Sequence, residues 1–368
     1  MPLYQGLAGR GNLVMGTVVK GTVFILQSRH HGSNQQLAAI AKSIFPEHTV
    51  MRQRFELRSR SKLFRLFCRL LVRLKRSTGG IRPFAAVLSW LALRHGYVRV
   101  TDRDVIIAKT PPFEYPAMIL GAGTGARTVF LGAPRHFSTR DFDTVVSTPS
   151  TFCADADIVL ETLPTEVYGA PAKATMPDRT STPVWSLIVG GDAKGYHYGE
   201  EFFRLLCQEM ERLSRALGIQ WIVSTSPRTG ATAETTLMAF ARQHPEWVDE
   251  LVVWGRGDRS GLRDLLGRSD TVLITEDSAS MVSEAVNQRL RTVCLRPEGA
   301  GFNSLITPLL ESLERNQRVL RVDLGQLSGL KARDLMTFEF RPLEKTWVDA
   351  WVAQERSRDR GSERNEHD

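Results

Sequence analysis

The chain carries none of the patterns that mark a membrane-spanning, secreted or metal-bound protein. No apolar run approaches 18 residues, so no segment reads as a spanning helix, and Met1 to Lys20 has glycines where a signal peptide carries its apolar core. The four cysteines, Cys68, Cys153, Cys207 and Cys294, stand far apart with no CxxC pair. They read as buried free thiols in a reducing compartment, not as a disulfide frame or a zinc site. His30 and His31, taken with His95, His136 and His197, offer no His-x-x-x-His spacing, so no metal site and no cofactor are expected. No internal repeat is evident. The expected location is cytoplasmic, or peripheral on the inner face of a membrane.

What is present suits two α/β domains. A length of 368 residues with 42% hydrophobic side chains supplies two cores of ordinary size. The net charge of +8 is concentrated. Residues 52–82 hold eleven basic side chains against Glu56 alone, a local excess of +10, which leaves the remainder slightly acidic at −2. Within this stretch Leu63, Leu66, Phe67, Leu70, Leu71 and Leu74 repeat at helical spacing while Arg65, Arg69, Arg73 and Arg76 mark another face. That pattern predicts a basic amphipathic helix, either packed on its own domain or lying on an anionic membrane. Nucleic acid is not an expected partner, because no zinc finger, RNA-recognition signature or aromatic-interleaved basic strand accompanies the charge.

Short apolar runs at Val18–Leu26, Val105–Ala108, Thr128–Leu131, Thr144–Val146 and Asp157–Leu160 predict strands of an N-terminal Rossmann-like domain over 1–165, with a first helix from Gln35 to Ile44. Prolines and small polar residues suit a linker over 166–183. A second Rossmann-like domain is expected over 184–340, then a terminal helix over 341–355 and a charged tail over 356–368. Gly121-Ala122-Gly123-Thr124-Gly125 imitates a dinucleotide loop, but a strand follows too soon for a helix to receive a pyrophosphate, so it reads as a loop between helix and strand. Asp155-Ala156-Asp157 has the spacing of a metal-binding DxD, yet Asp157 opens a strand.

The second domain has three polar loops at successive strand ends. Val184–Val189 runs into Gly190-Gly191-Asp192-Ala193-Lys194-Gly195, where glycines allow close approach to a phosphate and Lys194 adds charge. Gln220–Val223 gives way to Ser224-Thr225-Ser226-Pro227-Arg228-Thr229-Gly230, whose arginine suits bidentate phosphate contact. Thr271–Ile274 leads into Thr275-Glu276-Asp277-Ser278-Ala279-Ser280-Met281 and on to Glu284. Free N–H groups at such a helix start take anions or sugar hydroxyls. Three such loops on one edge of a parallel sheet point to a nucleotide or nucleotide-sugar site.

These three loops resemble the mitochondrial-fission ELM (elongated mitochondria) family of glycosyltransferase-like proteins. The turn Ser28-Arg29-His30-His31-Gly32-Ser33-Asn34-Gln35 and the stretch Val129-Phe130-Leu131-Gly132-Ala133-Pro134-Arg135 are similar to the same family. The resemblance implies a GT-B-like fold, two facing Rossmann-like domains with a terminal helix crossing back, and a nucleoside-diphosphate-sugar donor in the second domain. It also implies an acceptor-side turn at Gly32, Asn34 and Gln35. The chain departs from the family at Arg29 and His30, which stand where an acidic or glycine-bearing turn is more usual.

The expected chemistry is metal-independent transfer of a sugar to a glycan or lipid-linked acceptor, such as a cell-envelope polysaccharide. Gly190, Gly191 and Lys194 would cradle phosphate, while Ser226, Arg228 and Thr229 would neutralise the leaving diphosphate. Glu284 would accept from ribose or sugar hydroxyls, with Ser278, Ser280 and Met281 lining the helix start. Glu276 and Asp277 favour sugar hydroxyls over phosphate on that turn, since like charges repel. His30, His31 and Asp192 are all candidates for the base. Two other functions fit the same residues: epimerisation or hydrolysis of a nucleotide sugar on this fold, and a non-catalytic membrane-peripheral adaptor of the mitochondrial-fission type.

Overall fold

The computed structural model describes residues 21–27, 31–53, 61–78, 100–109, 113–165, 182–258, 261–344 and 346–354. Among these residues two six-stranded sheets are seen, each parallel throughout. The first contains β1 (Thr22–Leu26), β2 (Thr49–Gln53), β3 (Val105–Lys109), β4 (Arg127–Leu131), β5 (Thr144–Ser147) and β6 (Ile158–Val159), in the order β2-β1-β3-β4-β5-β6. The second contains β7 (Val184–Ile188), β8 (Gln220–Ser224), β9 (Val248–Val252), β10 (Thr271–Thr275), β11 (Arg291–Arg296) and β12 (Leu320–Asp323). Its order, β12-β11-β10-β7-β8-β9, reverses between β7 and β10. A crevice opens beyond the strand ends at such a reversal, and ligands of open α/β sheets sit there.

Local sequence explains these elements. Central strands such as Trp185–Ile188 and Thr271–Thr275 are buried along their length, as strands covered on both faces require. Trp185 and Trp221 stand in register on adjacent strands, with ring centroids 5.9 Å apart in an edge-to-face contact. The helix Glu200–Leu217 buries Phe202, Phe203, Leu206, Met210 and Leu213, and ends on Gly218 in the left-handed conformation. The edge strand Thr49–Gln53 is largely exposed and has no continuous apolar run to mark it in the sequence.

Several boundaries differ from those predicted. Helix α1 spans His31–Ile44, one turn longer than the predicted Gln35–Ile44, so Gly32 and Asn34 lie in its first turn and not in a preceding loop. Helix α2 spans Lys62–Thr78, and α3 spans Glu114–Thr124, so Gly121 and Gly123 are helical and only Gly125 and Ala126 precede β4. Asp157 caps the sheet edge through Val145 N, which donates to its carboxylate at 2.7 Å. The expected linker lies, apart from Thr182 and Pro183, outside the described residues, as does the tail. The terminal helix covers 347–354. It does cross back: Trp347 and Trp351 are buried among Val23, Ile25, Ile40 and Val129 of the first domain.

The two domains are also tied together directly. Asn287 donates to the carbonyl of Leu163 at 3.2 Å and to Thr165 Oγ1 at 2.8 Å, and accepts from Thr162 Oγ1 at 2.8 Å. The short turn Pro149–Thr151, which follows β5, packs on the helix Thr307–Arg315 of the second domain. The carboxyl edge of the first sheet therefore faces the second domain.

Candidate functional site

The three polar loops meet at the β7/β10 reversal. Gly190 N donates to Thr275 Oγ1 at 2.7 Å, and Gly191 N donates to Asp277 Oδ2 at 3.1 Å. Both glycines are required by this closeness: a Cβ on Gly190 would lie 2.1 Å from Asp277 Oδ2, and one on Gly191 would lie 1.9 Å from the Arg228 carbonyl oxygen. Arg228 Nη2 pairs with Asp277 Oδ2 at 2.7 Å, bridging the loops after β8 and β10. Asp277 has a fully buried side chain, while the Arg228 side chain is 41% exposed and reaches the surface of the crevice. Burial pushes the Asp277 carboxyl above its ordinary value, against the opposing pull of Thr275, Arg228 and the Gly191 amide. Its Oδ1 is buried without a hydrogen-bond partner.

Not every predicted contact residue points outward. Ser226 Oγ donates to Gly190 O at 2.7 Å, and Thr229 Oγ1 approaches the same carbonyl at 2.6 Å, so both hydroxyls join the β8 loop to the β7 loop. Glu276 is turned into the domain. Arg321 holds it through two bonds, Nε to Oε1 at 2.7 Å and Nη2 to Oε2 at 3.1 Å, with Arg296 Nε 3.4 Å from Oε2. The repulsion expected from Glu276 and Asp277 on this turn is therefore offset: each carboxylate has a guanidinium partner, Arg321 for Glu276 and Arg228 for Asp277. Ser278 stands at the N-cap position of the helix Ala279–Asn287 without a side-chain capping bond, and Ser280, Met281 and Glu284 are half-buried along the first turns of that helix.

Lys194 is exposed on the β7 loop, and its carbonyl accepts from Asn303 Nδ2 at 2.7 Å. Gly195 O accepts from Gly301 N at 2.7 Å. Thus the segment leading into the helix Thr307–Arg315 forms a wall beside the site that the sequence reading missed. Asp192 is used locally: Oδ1 accepts from Tyr198 N at 2.8 Å and Oδ2 meets His197 Nδ1 at 2.7 Å. The Tyr198 amide and then the His197 ring hold its carboxyl below the usual range, which makes it a weaker base than sequence position suggested.

On the facing edge of the first domain, His30 lies outside the described residues and His31 opens α1. Gly32 and Asn34 are half-buried and Gln35 is exposed. At the β1/β3 reversal Lys109 Nζ donates to Gln36 Oε1. Burial brings the Lys109 ammonium down to about 8. Nearby, Glu114 of α3 is fully buried and accepts from Arg135 N at 2.7 Å, from His136 N at 3.0 Å and from His136 Nδ1 at 3.1 Å. Neither Glu114 nor His136 was singled out as a pair, since 22 residues separate them. Among the described residues, no group of three His, Cys, Asp or Glu side chains converges in a way that could hold a metal ion.

Two parallel-sheet domains facing each other, with a terminal helix returned to the first, define an α/β protein of GT-B-like architecture. The mitochondrial fission ELM1 family model matches residues 168–352, and the chain belongs to that family. No curated protein matches it. Among solved structures it is similar to the S. aureus MnaA–UDP co-structure, at 8% identity and a TM-score of 0.48 over 90% of this chain and 95% of that one. It is also similar to the E. coli ADP-heptose LPS heptosyltransferase II, at 11% identity and a TM-score of 0.43 over 92% and 99% of the two chains. A third, the Methanocaldococcus jannaschii UDP-GlcNAc 2-epimerase in complex with UDP-GlcNAc and UDP, gives 10% identity and 0.46 over 92% and 99%.

Proposed function

We propose that the protein transfers a sugar from a nucleoside-diphosphate sugar to a glycan or lipid-linked acceptor without a metal ion. The observation that carries this reading is the partly exposed Arg228 at the β7/β10 reversal, beside glycines that admit no side chain. A diphosphate there would meet a guanidinium, the exposed Lys194 and the start of the helix Ala279–Asn287, which together stabilise charge building on a leaving group. Ser278, Ser280, Met281 and Glu284 would line the sugar and ribose. Ser226 and Thr229 act one step back, by holding the Gly190 carbonyl and hence the glycine turn, and Asp277 positions Arg228. Gly32, Asn34 and Gln35 would face the acceptor.

The surface of α2 supports a membrane-bound acceptor. Leu63 is 80% exposed, and Leu66, Phe67 and Leu70 are each about half exposed, while Cys68 is buried. An outward apolar stripe on a segment with a local excess of +10 suits the interface of an anionic bilayer, where basic residues contribute on the order of 1 kcal/mol each. Among the described residues no helix is long and apolar enough to cross a membrane.

The test is diphosphate release from a panel of nucleotide sugars, with and without glycan and polyprenyl-phosphate acceptors. Release that accelerates only with acceptor supports transfer. An epimerised sugar, or fast release that ignores acceptor, would assign the site to the epimerase or hydrolase reading, and a folded protein inert to every donor would assign it to the adaptor.

A further inference from the structure

We infer that His136, held by Glu114, is the general base that deprotonates the acceptor; the inference rests on the glycosyl-transfer reading of the same cleft. Glu114 stands in the first turn of α3 with its side chain wholly buried. A carboxylate can only accept, and Glu114 accepts two backbone N–H groups of the β4 loop in addition to His136 Nδ1. The proton of the imidazole is thereby fixed on Nδ1, and Nε2 is left as the basic nitrogen. The Tyr115 ring lies 5.3 Å from the imidazole and restricts its rotation. The His136 side chain is 30% exposed while that of Glu114 is wholly buried, so the dyad has its orienting carboxylate inside the domain and its imidazole at the surface.

Its position fits the task. Gly132 opens the His136 loop directly against Thr151, where an added Cβ would lie 3.3 Å from the threonine Cβ. The turn Pro149–Thr151 packs on the helix Thr307–Arg315. Asn303, at the entry to that helix, holds the Lys194 carbonyl of the donor loop. A continuous series of contacts therefore joins the loop of His136 to the loop that carries Lys194, across the interdomain edge. The other candidates are less suited: both oxygens of Asp192 are engaged by its own loop.

In the reaction, Nε2 takes the proton of the acceptor hydroxyl as its oxygen forms a bond to the anomeric carbon. The bond from that carbon to the diphosphate oxygen breaks, and its electron pair leaves with the diphosphate beside Arg228. The imidazolium that results is stabilised by the Glu114 carboxylate and releases its proton to solvent. This is a single displacement with inversion. A positioned base contributes about 10²–10⁴-fold.

The experiment uses the nucleotide sugar that most raises the melting temperature and measures diphosphate release in the presence of the glycan or lipid-linked acceptor that accelerates it most. His136→Asn keeps an N–H donor towards Glu114 and removes Nε2; His136→Ala opens space for added imidazole. The expected result is a loss of at least about 100-fold in kcat for both, with melting temperature and half-saturating donor concentration unchanged. Imidazole should restore part of the rate to His136→Ala and none to Arg228→Ala. Glu114→Gln, at a positioning residue, should lower kcat with less effect on donor binding. Acceptor-dependent release by His136→Asn at the wild-type rate overturns the assignment. No stabilisation by any nucleotide would instead remove the donor site itself, and with it the reading on which this inference rests.

Discussion

Asp277 Oδ2 lies 2.7 Å from Arg228 Nη2 and 3.1 Å from Gly191 N, so one buried carboxylate fixes both the cation and the glycine turn of the site. The arrangement accounts for a charge that neither loop would tolerate alone. Asp277 needs the guanidinium to remain ionised in its buried position, and Arg228 needs Asp277 to be held at the crevice instead of extending into water.

Gly191→Ala tests this geometry without altering charge. The new methyl would stand 1.9 Å from the Arg228 carbonyl, so the β8 loop must move. A destabilisation of about 1–3 kcal/mol is expected, with loss of nucleotide stabilisation. Gly267→Ala is the control, since nothing lies within 4 Å of its Cβ position; its melting temperature should stay near wild type. Equal effects in the two variants would contradict the account.

Lys109→Met probes the reversal point of the first sheet. The ammonium falls from 10.5 to about 8 on burial. Below about 8 the lysine is charged in both states and the folded protein carries the full burial cost. Between about 8 and 10.5 the unfolded chain holds a proton that the folded chain does not, so wild-type stability gains as pH rises, by about 3 kcal/mol in the limit. Denaturant melts across this window should show the difference between Lys109→Met and wild type shifting towards wild type. A difference independent of pH would mean that Lys109 is well solvated.

Much of the second domain was legible because its central strands β7, β8 and β10 are nearly continuous apolar runs and the loops after them are rich in glycine and hydroxyls. The place of the three loops at strand ends follows from the apolar runs before them, whereas the partners of their side chains do not. Ser226 and Thr229 have the chemistry of phosphate ligands and spend it on the Gly190 carbonyl. Glu276 has the chemistry of a sugar ligand and spends it on Arg321, 45 residues away. Helix α1 began earlier than predicted because Gly32 and Asn34 are turn-formers out of context. The Glu114–His136 pair was hidden for the same reason as the Glu276–Arg321 pair: tertiary contact leaves no periodic trace in sequence.

Trp351→Ala tests the crossing helix. Trp351 is fully buried against the first domain although it follows the second in the chain. Truncation should cost about 3–5 kcal/mol. Hydrogen exchange should show the first domain losing protection before the second. Protection lost first in the second domain would show that the helix belongs there.

The α2 surface makes a separate prediction. Replacing Leu66, Phe67 and Leu70 by serine should leave the melting temperature within about 0.5 kcal/mol equivalent, since these side chains are about half exposed. Flotation with phosphatidylglycerol vesicles should fall several-fold, and neutralising Arg65, Arg69 and Arg73 should have the same effect. Unchanged flotation in both would leave the stripe without a membrane role.

The donor site itself is tested most directly by a thermal-shift screen against nucleoside diphosphates and their sugars, with wild type beside an Arg228→Ala, Glu284→Ala variant. A ligand bound only by the folded state raises the melting temperature with its concentration. The account predicts stabilisation by one nucleotide family, rising with concentration and absent from the variant. A folded wild type that no nucleotide stabilises, or a variant stabilised as much as wild type, would contradict it.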